Sequence, residues 1–217
     1  MNVEQARFNM IEQQIRPWDV LDGSVLALLA AIRREDFLPP EHRALAFMDL
    51  EVPLAEGQHM LAPKVEARLL QELDPHRHER VLEVGTGSGY MAALLAHKSQ
   101  HVLSFEIRPA LAKTASANLR SAALGNVEVR CADGSRGAAA DGPFDAILLS
   151  GSVAAVPRVL LDQLKLGGRL VAIEGFEPVM RAVRYTRNAA DAWQQEVLFD
   201  TVAPRLQGFA EPSAFHF

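Results

Sequence analysis

One cysteine, Cys131, stands in 217 residues. It excludes an internal disulfide and any multi-cysteine metal site, and it fits a reducing compartment. Positive charge is not in excess either: 22 Lys and Arg face 27 Asp and Glu, for a net charge of −5 and a pI near 5.8. Phosphate binding normally needs a basic face, so no nucleic-acid partner is expected. The longest apolar run, Val25 to Ile32, falls far short of the ~20 residues needed to cross a bilayer. The start, Met1 to Arg7, lacks the basic-then-apolar profile of a secretory signal. The expectation is a cytoplasmic protein with no membrane partner. His76 and His78 lie close in sequence, but no acid or cysteine set completes a metal site, so no metal is expected.

What the chain does have is an ordinary globular composition, 49% apolar and 23% charged, and enough length for one large domain or a domain with a modest extension. Val3, Phe8, Ile11 and Ile15 share a helical face that Pro17 ends. Asp22 or Ser24 can cap a second helix whose face is Val25, Leu28, Leu29 and Ile32, and Phe37-Leu38-Pro39-Pro40 breaks it. Glu51 to Ala62 reads as an ordered loop. Pro63 opens a helix carrying Val65, Leu69, Leu70 and Leu73, which Asp74-Pro75 stops.

From Val81 strands and helices alternate, as in a parallel sheet. The expected strands begin at Val81, His101 and Val127, and the apolar run Phe144–Leu149 is a strand buried on both faces. A helix over 156–164 and a strand over Arg169–Glu174 follow, separated by the Gly167-Gly168 turn. Val179–Thr186 and Trp193–Val202 should close the sheet as an antiparallel edge pair. This gives residues 1–79 as a helical N-terminal extension and loop, packed on an α/β domain over 80–217 as one compact unit.

The organising stretch is Val81-Leu82-Glu83-Val84-Gly85-Thr86-Gly87-Ser88-Gly89-Tyr90-Met91, a strand, a glycine turn and a helix start. The glycines permit φ > 0 and close approach of a ligand, and the free N–H groups at the helix start attract electron-rich groups. Ligands of open α/β sheets sit beyond the carboxyl ends of the strands, and three acids fall there: Glu83, Glu106 and Asp133. Glu106, beside Ile107, lies at about the offset where an acid accepts both hydroxyls of an adenosine ribose. Asp133-Gly134 is placed to meet an adenine amino group.

The G-x-G-x-G spacing, with Glu83 before it, resembles the first motif of class I S-adenosylmethionine methyltransferases. That likeness implies S-adenosylmethionine as cofactor, with Glu83, Gly85, Thr86, Gly87, Ser88, Gly89, Glu106, Ile107, Asp133 and Gly134 around it. It also implies a Rossmann-like, mostly parallel seven-stranded sheet with helices on both faces.

More of the chain resembles one family. Met10-Ile11-Glu12-Gln13-Gln14-Ile15, Arg34-Glu35-Asp36-Phe37-Leu38-Pro39-Pro40, Glu56-Gly57-Gln58, Asn126-Val127-Glu128-Val129 with Asp133-Gly134-Ser135, and Leu160 to Leu170 are similar to the protein-L-isoaspartate (D-aspartate) O-methyltransferases. The resemblance implies methyl transfer to the free carboxylate of L-isoaspartyl residues in damaged proteins or peptides, a repair step. It also implies a sheet whose last strands are ordered differently from other class I enzymes.

The sequence departs from the family at the acceptor loop. Where the family carries Gly-Gln-Thr-Ile-Ser-x-Pro, this chain reads Gly57-Gln58-His59-Met60-Leu61-Ala62-Pro63, so Leu61 takes the serine position. The family's Thr-Ala-Ala after the fourth strand is Ser150-Gly151-Ser152. A carboxylate acceptor is already ionised at neutral pH and needs no general base, so the lost hydroxyl is a positioning contact of about 0.5–1.5 kcal/mol. His59, Ser150 and Ser152 are the candidate replacement donors, with Met60 and Leu61 on the wall against the cofactor. The alternatives left open are a different methyl acceptor and a cofactor-binding module without turnover. The end of the chain, Ala203 to Phe217, matches no part of the family pattern.

Overall fold

The computed structural model describes residues 2–211. Its first helices are α1, Val3–Met10, and α2, Gly23–Ala31. Asn2 caps α1 by accepting from the Gln5 amide, and Asp22 caps α2 by accepting from the Ser24 amide, which satisfies N–H groups that have no partner inside the helix. Between them the chain loosens into a π turn over Ile11–Ile15 and a 3-10 turn over Arg16–Trp18 that contains Pro17. The apolar face expected of the first segment is only partly used: Ile11 and Ile15 are buried, but Phe8 is 58% exposed.

Two 3-10 segments follow, Arg34–Phe37 and Pro40–Phe47. The expected loop contains a small hairpin, β1 (Val52–Pro53) paired with β2 (His59–Met60). Helix α3 spans Pro63–Leu73, and Asp74 ends it in the left-handed conformation at φ 45°. Leu69, Leu70 and Leu73 on α3 are 0% exposed, and full burial of such a side chain contributes about 1.5–3 kcal/mol.

The main sheet then unfolds in order: β3 (Arg80–Val84), α4 (Tyr90–Lys98), β4 (His101–Glu106), α5 (Pro109–Ser121), β5 (Val127–Cys131), β6 (Phe144–Val153), α6 (Arg158–Leu161), β7 (Leu164–Phe176), β8 (Val179–Ala189) and β9 (Ala192–Thr201). Its seven strands lie in the order β5-β4-β3-β6-β7-β8-β9. β3 pairs in parallel with both β4 and β6, so the chain winds outward to β5 and then returns past β3. That reversal opens a crevice at the carboxyl ends of β3 and β6. The last three strands run antiparallel in sequence order to the edge. The helix expected over 156–164 shrinks to α6, because Leu164 is already paired with Phe144 in the sheet.

Alternation along the strands splits the core between the two faces. Val81, Val102, Ala146 and Val171 pack with α3, α4 and buried residues of the first fifty, such as Ile15, Val25 and Leu29. Leu82, Leu103, Ile147 and Leu170 pack with Leu160 and Leu161 of α6 on the other face. The N-terminal segment therefore shares its core with the sheet. Arg169 of β7 fastens them further, donating to the Leu73 carbonyl at 2.6 Å and to Glu79 at 2.6 Å. Among the described residues, no helix is long and apolar enough to cross a membrane.

Candidate cofactor and acceptor site

The turn from β3 to α4 forms as the glycines require. Gly85, Gly87 and Gly89 have φ of 96°, 53° and 88°, a region that L side chains rarely enter. Gly85 also has a close neighbour: an added Cβ would lie 2.7 Å from Cδ2 of Leu206, so that leucine would have to shift. The Gly85 and Thr86 amides donate to the Phe105 carbonyl at the end of β4, which draws the turn towards the next strand.

Glu106 completes that connection. Its Oε2 accepts from the Gly87 amide at 2.8 Å and its Oε1 from the Arg108 amide at 3.0 Å. Each carboxylate oxygen can accept more than one hydrogen bond, so both retain acceptor capacity towards the adjoining cavity, which Glu106, Ile107, Gly85, Gly87 and Gly134 help to line. The cavity is narrow, about 60 Å³.

Glu83 does not line it. The side chain is 0% exposed beneath the turn and accepts from Ser104 Oγ at 2.6 Å and Ser150 Oγ at 2.7 Å. With the Ser104 proton committed to Glu83, the Thr86 hydroxyl donates to Ser104 at 2.5 Å. Burial pushes the Glu83 carboxyl up to about 7, the two hydroxyls oppose that rise, and the nearby carboxylates Glu106 and Glu66 add to it. The expected cofactor contact at Glu83 is therefore corrected: its side chain supports the turn from below.

Asp133, the expected adenine contact, is exposed between two residues that line the cavity. Its Oδ1 accepts from the Ser135 amide at 2.8 Å in a local turn, and an added Cβ at Gly208 would lie 2.5 Å from that same oxygen. The backbone around Gly208 thus packs on the carboxylate, while the neighbours Ala132 and Gly134 reach the cavity wall. At Gly134 an added Cβ would lie 2.6 Å from Val84, so glycine is needed there for packing.

The three candidate donors separate. His59 is exposed and lines the cavity, and Ser150 lines it while donating to Glu83. Ser152 does not. It is 0% exposed, and its Oγ lies 2.8 Å from the Ala203 carbonyl and 3.2 Å from that of Pro204, donating to both. A register irregularity between Leu148 and Ser152 intervenes in β6 and removes the simple alternation that would put Ser150 and Ser152 on one face. Met60 and Leu61 are both buried. Together with Ser88, Thr86 and Glu66 they line a smaller recess that adjoins the cavity and shares His59, Leu61, Gly85, Gly87 and Ser150 with it.

The segment after Ala203, for which the sequence offered no role, is a wall of the site. The Ser152 amide donates to Pro204 O at 2.8 Å and the Leu206 amide to Ser152 O at 2.9 Å, which lays the segment alongside β6. Pro204, Arg205, Leu206 and Gln207 then line the cavity together with Gly85 and Ile107. A second, open groove of about 470 Å³ adjoins it, sharing His59, Pro204 and Arg205 and adding Glu51 and Glu177.

A doubly flanked sheet, a glycine turn and an acid at the end of the adjacent strand define a class I S-adenosylmethionine-dependent methyltransferase. The sequence model of the protein-L-isoaspartate(D-aspartate) O-methyltransferase family matches residues 5–203. The chain belongs to that family.

Relatives include protein-L-isoaspartate O-methyltransferase 1 of Rhodopseudomonas palustris strain HaA2, 41% identical over 89% of this chain and 80% of its own. The protein-L-isoaspartate O-methyltransferase of Methanoculleus marisnigri is 41% identical over 79% and 78%. Among solved structures, a protein-L-isoaspartate O-methyltransferase from Plasmodium falciparum, in complex with S-adenosyl-L-homocysteine, superposes with a TM-score of 0.81. It covers 95% of this chain and 99% of its own at 20% identity, and so speaks for the fold alone.

Proposed function

We propose that this protein is an S-adenosylmethionine-dependent O-methyltransferase that methylates the free carboxylate of L-isoaspartyl residues in damaged proteins and peptides, in the cytoplasm. S-adenosylmethionine supplies a methyl group activated on a sulfonium. The chain's own residues supply binding and aim. The observation that carries the reading is the Glu106 carboxylate, held at the rim of the glycine turn by the Gly87 and Arg108 amides with lone pairs left over for vicinal hydroxyls.

The remaining groups fit the same assignment. Ala132 and Gly134 give the cavity a wall of small residues beyond the end of β5. Gly85, Thr86 and Gly87 give backbone rather than bulk on the side of the recess formed by Met60 and Leu61. No base is required for a carboxylate of ordinary pKa near 4. Orientation of the acceptor is therefore the principal contribution of the protein, and His59 and Ser150 are the polar side chains on the wall from which it would come.

The test is transfer of labelled methyl groups to an isoaspartyl peptide and to its normal aspartyl counterpart. Transfer to the first and not the second is expected. Tight cofactor binding with no turnover of either would overturn the assignment. A second reading, the same chemistry on a different acceptor, is favoured by Leu61, which is 5% exposed at the place where the family carries serine. Leu61→Ser separates the two: a large gain in isoaspartyl turnover supports the second reading, and no gain removes its support.

A further inference from the structure

Arg34 is 1% exposed, a location that a guanidinium occupies only when its donors are engaged. Nη1 donates to the Ala46 carbonyl at 2.9 Å, Nη2 to the Leu61 carbonyl at 2.6 Å, and Nε to Glu66 Oε2 at 3.1 Å. The guanidinium also lies over the Tyr90 ring, 5.7 Å from its centroid. Glu66, on α3, is itself 4% exposed and reaches the recess beside the glycine turn.

The choice of carbonyls matters. Ala46 precedes the β1–β2 hairpin and Leu61 follows it, so one side chain joins the two ends of the segment that carries Leu54, Gln58 and His59 to the cavity and its recess. The tip of the segment is held separately, by the Leu54 amide on Gln58 O at 2.7 Å and by Arg108 on Glu56 at 3.0 Å. Nothing in the hairpin's own two-residue strands could fix its base, since so short an antiparallel pair is marginal alone.

We propose that Arg34 is a positioning residue for the transfer reaction: by clipping Ala46 and Leu61 together it fixes the acceptor hairpin, and so His59 and the Leu61 wall, against the cofactor cavity. This rests on the functional reading above. A lysine cannot replace it, because the clip needs a planar fork with several fixed donors, whereas a lysine ammonium is a single point on a flexible stem. The Glu66 partner neutralises the buried charge. A buried ion pair by itself is replaceable by apolar groups of similar volume, but the bonds to two main-chain carbonyls are not.

That difference provides the test. Arg34→Lys and the double variant Arg34→Met/Glu66→Met are compared with the wild type by four readouts: unfolding midpoint, calorimetric affinity for S-adenosylhomocysteine, KM and kcat for an isoaspartyl peptide, and hydrogen exchange of residues 52–62. In Arg34→Lys, peptide KM should rise about tenfold, the scale of one or two net hydrogen bonds. Exchange over 52–62 should accelerate, while cofactor affinity changes by less than about threefold, because Glu106 and the glycine turn are held from the sheet. The double variant should regain the part of the unfolding midpoint that the buried ion pair sets, short of the wild type because the Ala46 and Leu61 carbonyls lose their donor, and should not regain peptide KM.

Recovery of KM together with the midpoint would make the role purely structural and overturn the proposal, as would unchanged KM and exchange in Arg34→Lys. If the double variant does not fold, the exchange and KM of Arg34→Lys decide alone. If the wild type methylates no isoaspartyl peptide, the functional reading falls, and faster exchange over 52–62 at near-constant cofactor affinity still decides whether Arg34 is the clip.

Discussion

Replacing Glu83 by glutamine should stabilise the protein at neutral and alkaline pH and leave it little changed in acid. The carboxyl lies 0% exposed under the glycine turn, between two serine hydroxyls that donate to it, and its proton is held up to about pH 7 instead of the ordinary 4.5. The unfolded chain releases that proton near 4.5, whereas the folded chain retains it until about 7. The folded state thus binds more protons across that window, and stability falls as pH rises through it.

At about 1.36 kcal/mol per pH unit, the interval from 4.5 to about 7 is worth about 3 kcal/mol, fully present below 4.5 and gone above 7. Glutamine keeps the shape and stays neutral at every pH. Its amide oxygen can accept one serine hydroxyl and its NH2 can donate to the other serine oxygen. Glu66, whose carboxyl is also pushed up to about 7 by burial against the opposing pull of Arg34, contributes a similar fall in both proteins, so the difference reports Glu83 together with its smaller coupling to Glu66. Urea unfolding of both proteins from pH 4.5 to pH 9 provides the measurement. The expected outcome is a difference in unfolding free energy that grows by about 3 kcal/mol between the two ends. A difference that stays constant with pH, or a glutamine variant less stable at pH 9, would refute the reasoning.

Further outcomes are expected around the same cavity. Glu106→Ala removes a carboxylate that two backbone amides share, and calorimetry should show cofactor affinity weakened at least tenfold, given about 1.5–3 kcal/mol for a charged hydrogen bond. Ser152→Ala removes the hydroxyl from the Ala203 and Pro204 carbonyls but leaves the two backbone bonds of residue 152 in place; unfolding free energy should fall by about 0.5–1.5 kcal/mol and cofactor affinity by about threefold. Gly85→Ala places a Cβ 2.7 Å from Leu206 at a φ of 96°. Its cost in thermal unfolding should be about 1–3 kcal/mol, and adding Leu206→Ala should recover the clash but not the backbone strain.

Much of this was legible in the sequence because it is local. The turn Gly85–Gly89 announces itself by spacing, the starts of α2 and α3 by Asp22 or Ser24 and by Pro63, and the edge pair as strands over 179–186 and 193–202, although β8 runs on to Ala189 and leaves only Ala190-Asp191 as the turn. The parts that were not legible depend on contacts distant in sequence. Ser152 looked equivalent to Ser150, because two residues along a regular strand share a face; the irregularity after Leu148 breaks that equivalence. Asp133 follows a strand as an adenine-binding acid would, and Gly208 packs on it; nothing near Asp133 encodes a neighbour 75 positions away. For Arg34 and Glu66, only the fold reveals that both are buried and face one another. Residues 212–217 of the unmatched C-terminal stretch lie outside the described residues.

The return of the chain past β6 has a consequence for the order in which the protein becomes competent. Leu206 closes on Gly85 and the Gly208 backbone on Asp133, so the last wall of the cavity is contributed by residues that leave the ribosome after every strand of the sheet. Chains grow from the N-terminus and fold as they emerge, at about 5–20 residues per second. A nascent chain can therefore hold its whole sheet and glycine turn for a short interval before it can hold its ligand tightly. A chain that ended near residue 203 would lack this wall, and with it the stabilisation that a tightly bound ligand confers by mass action.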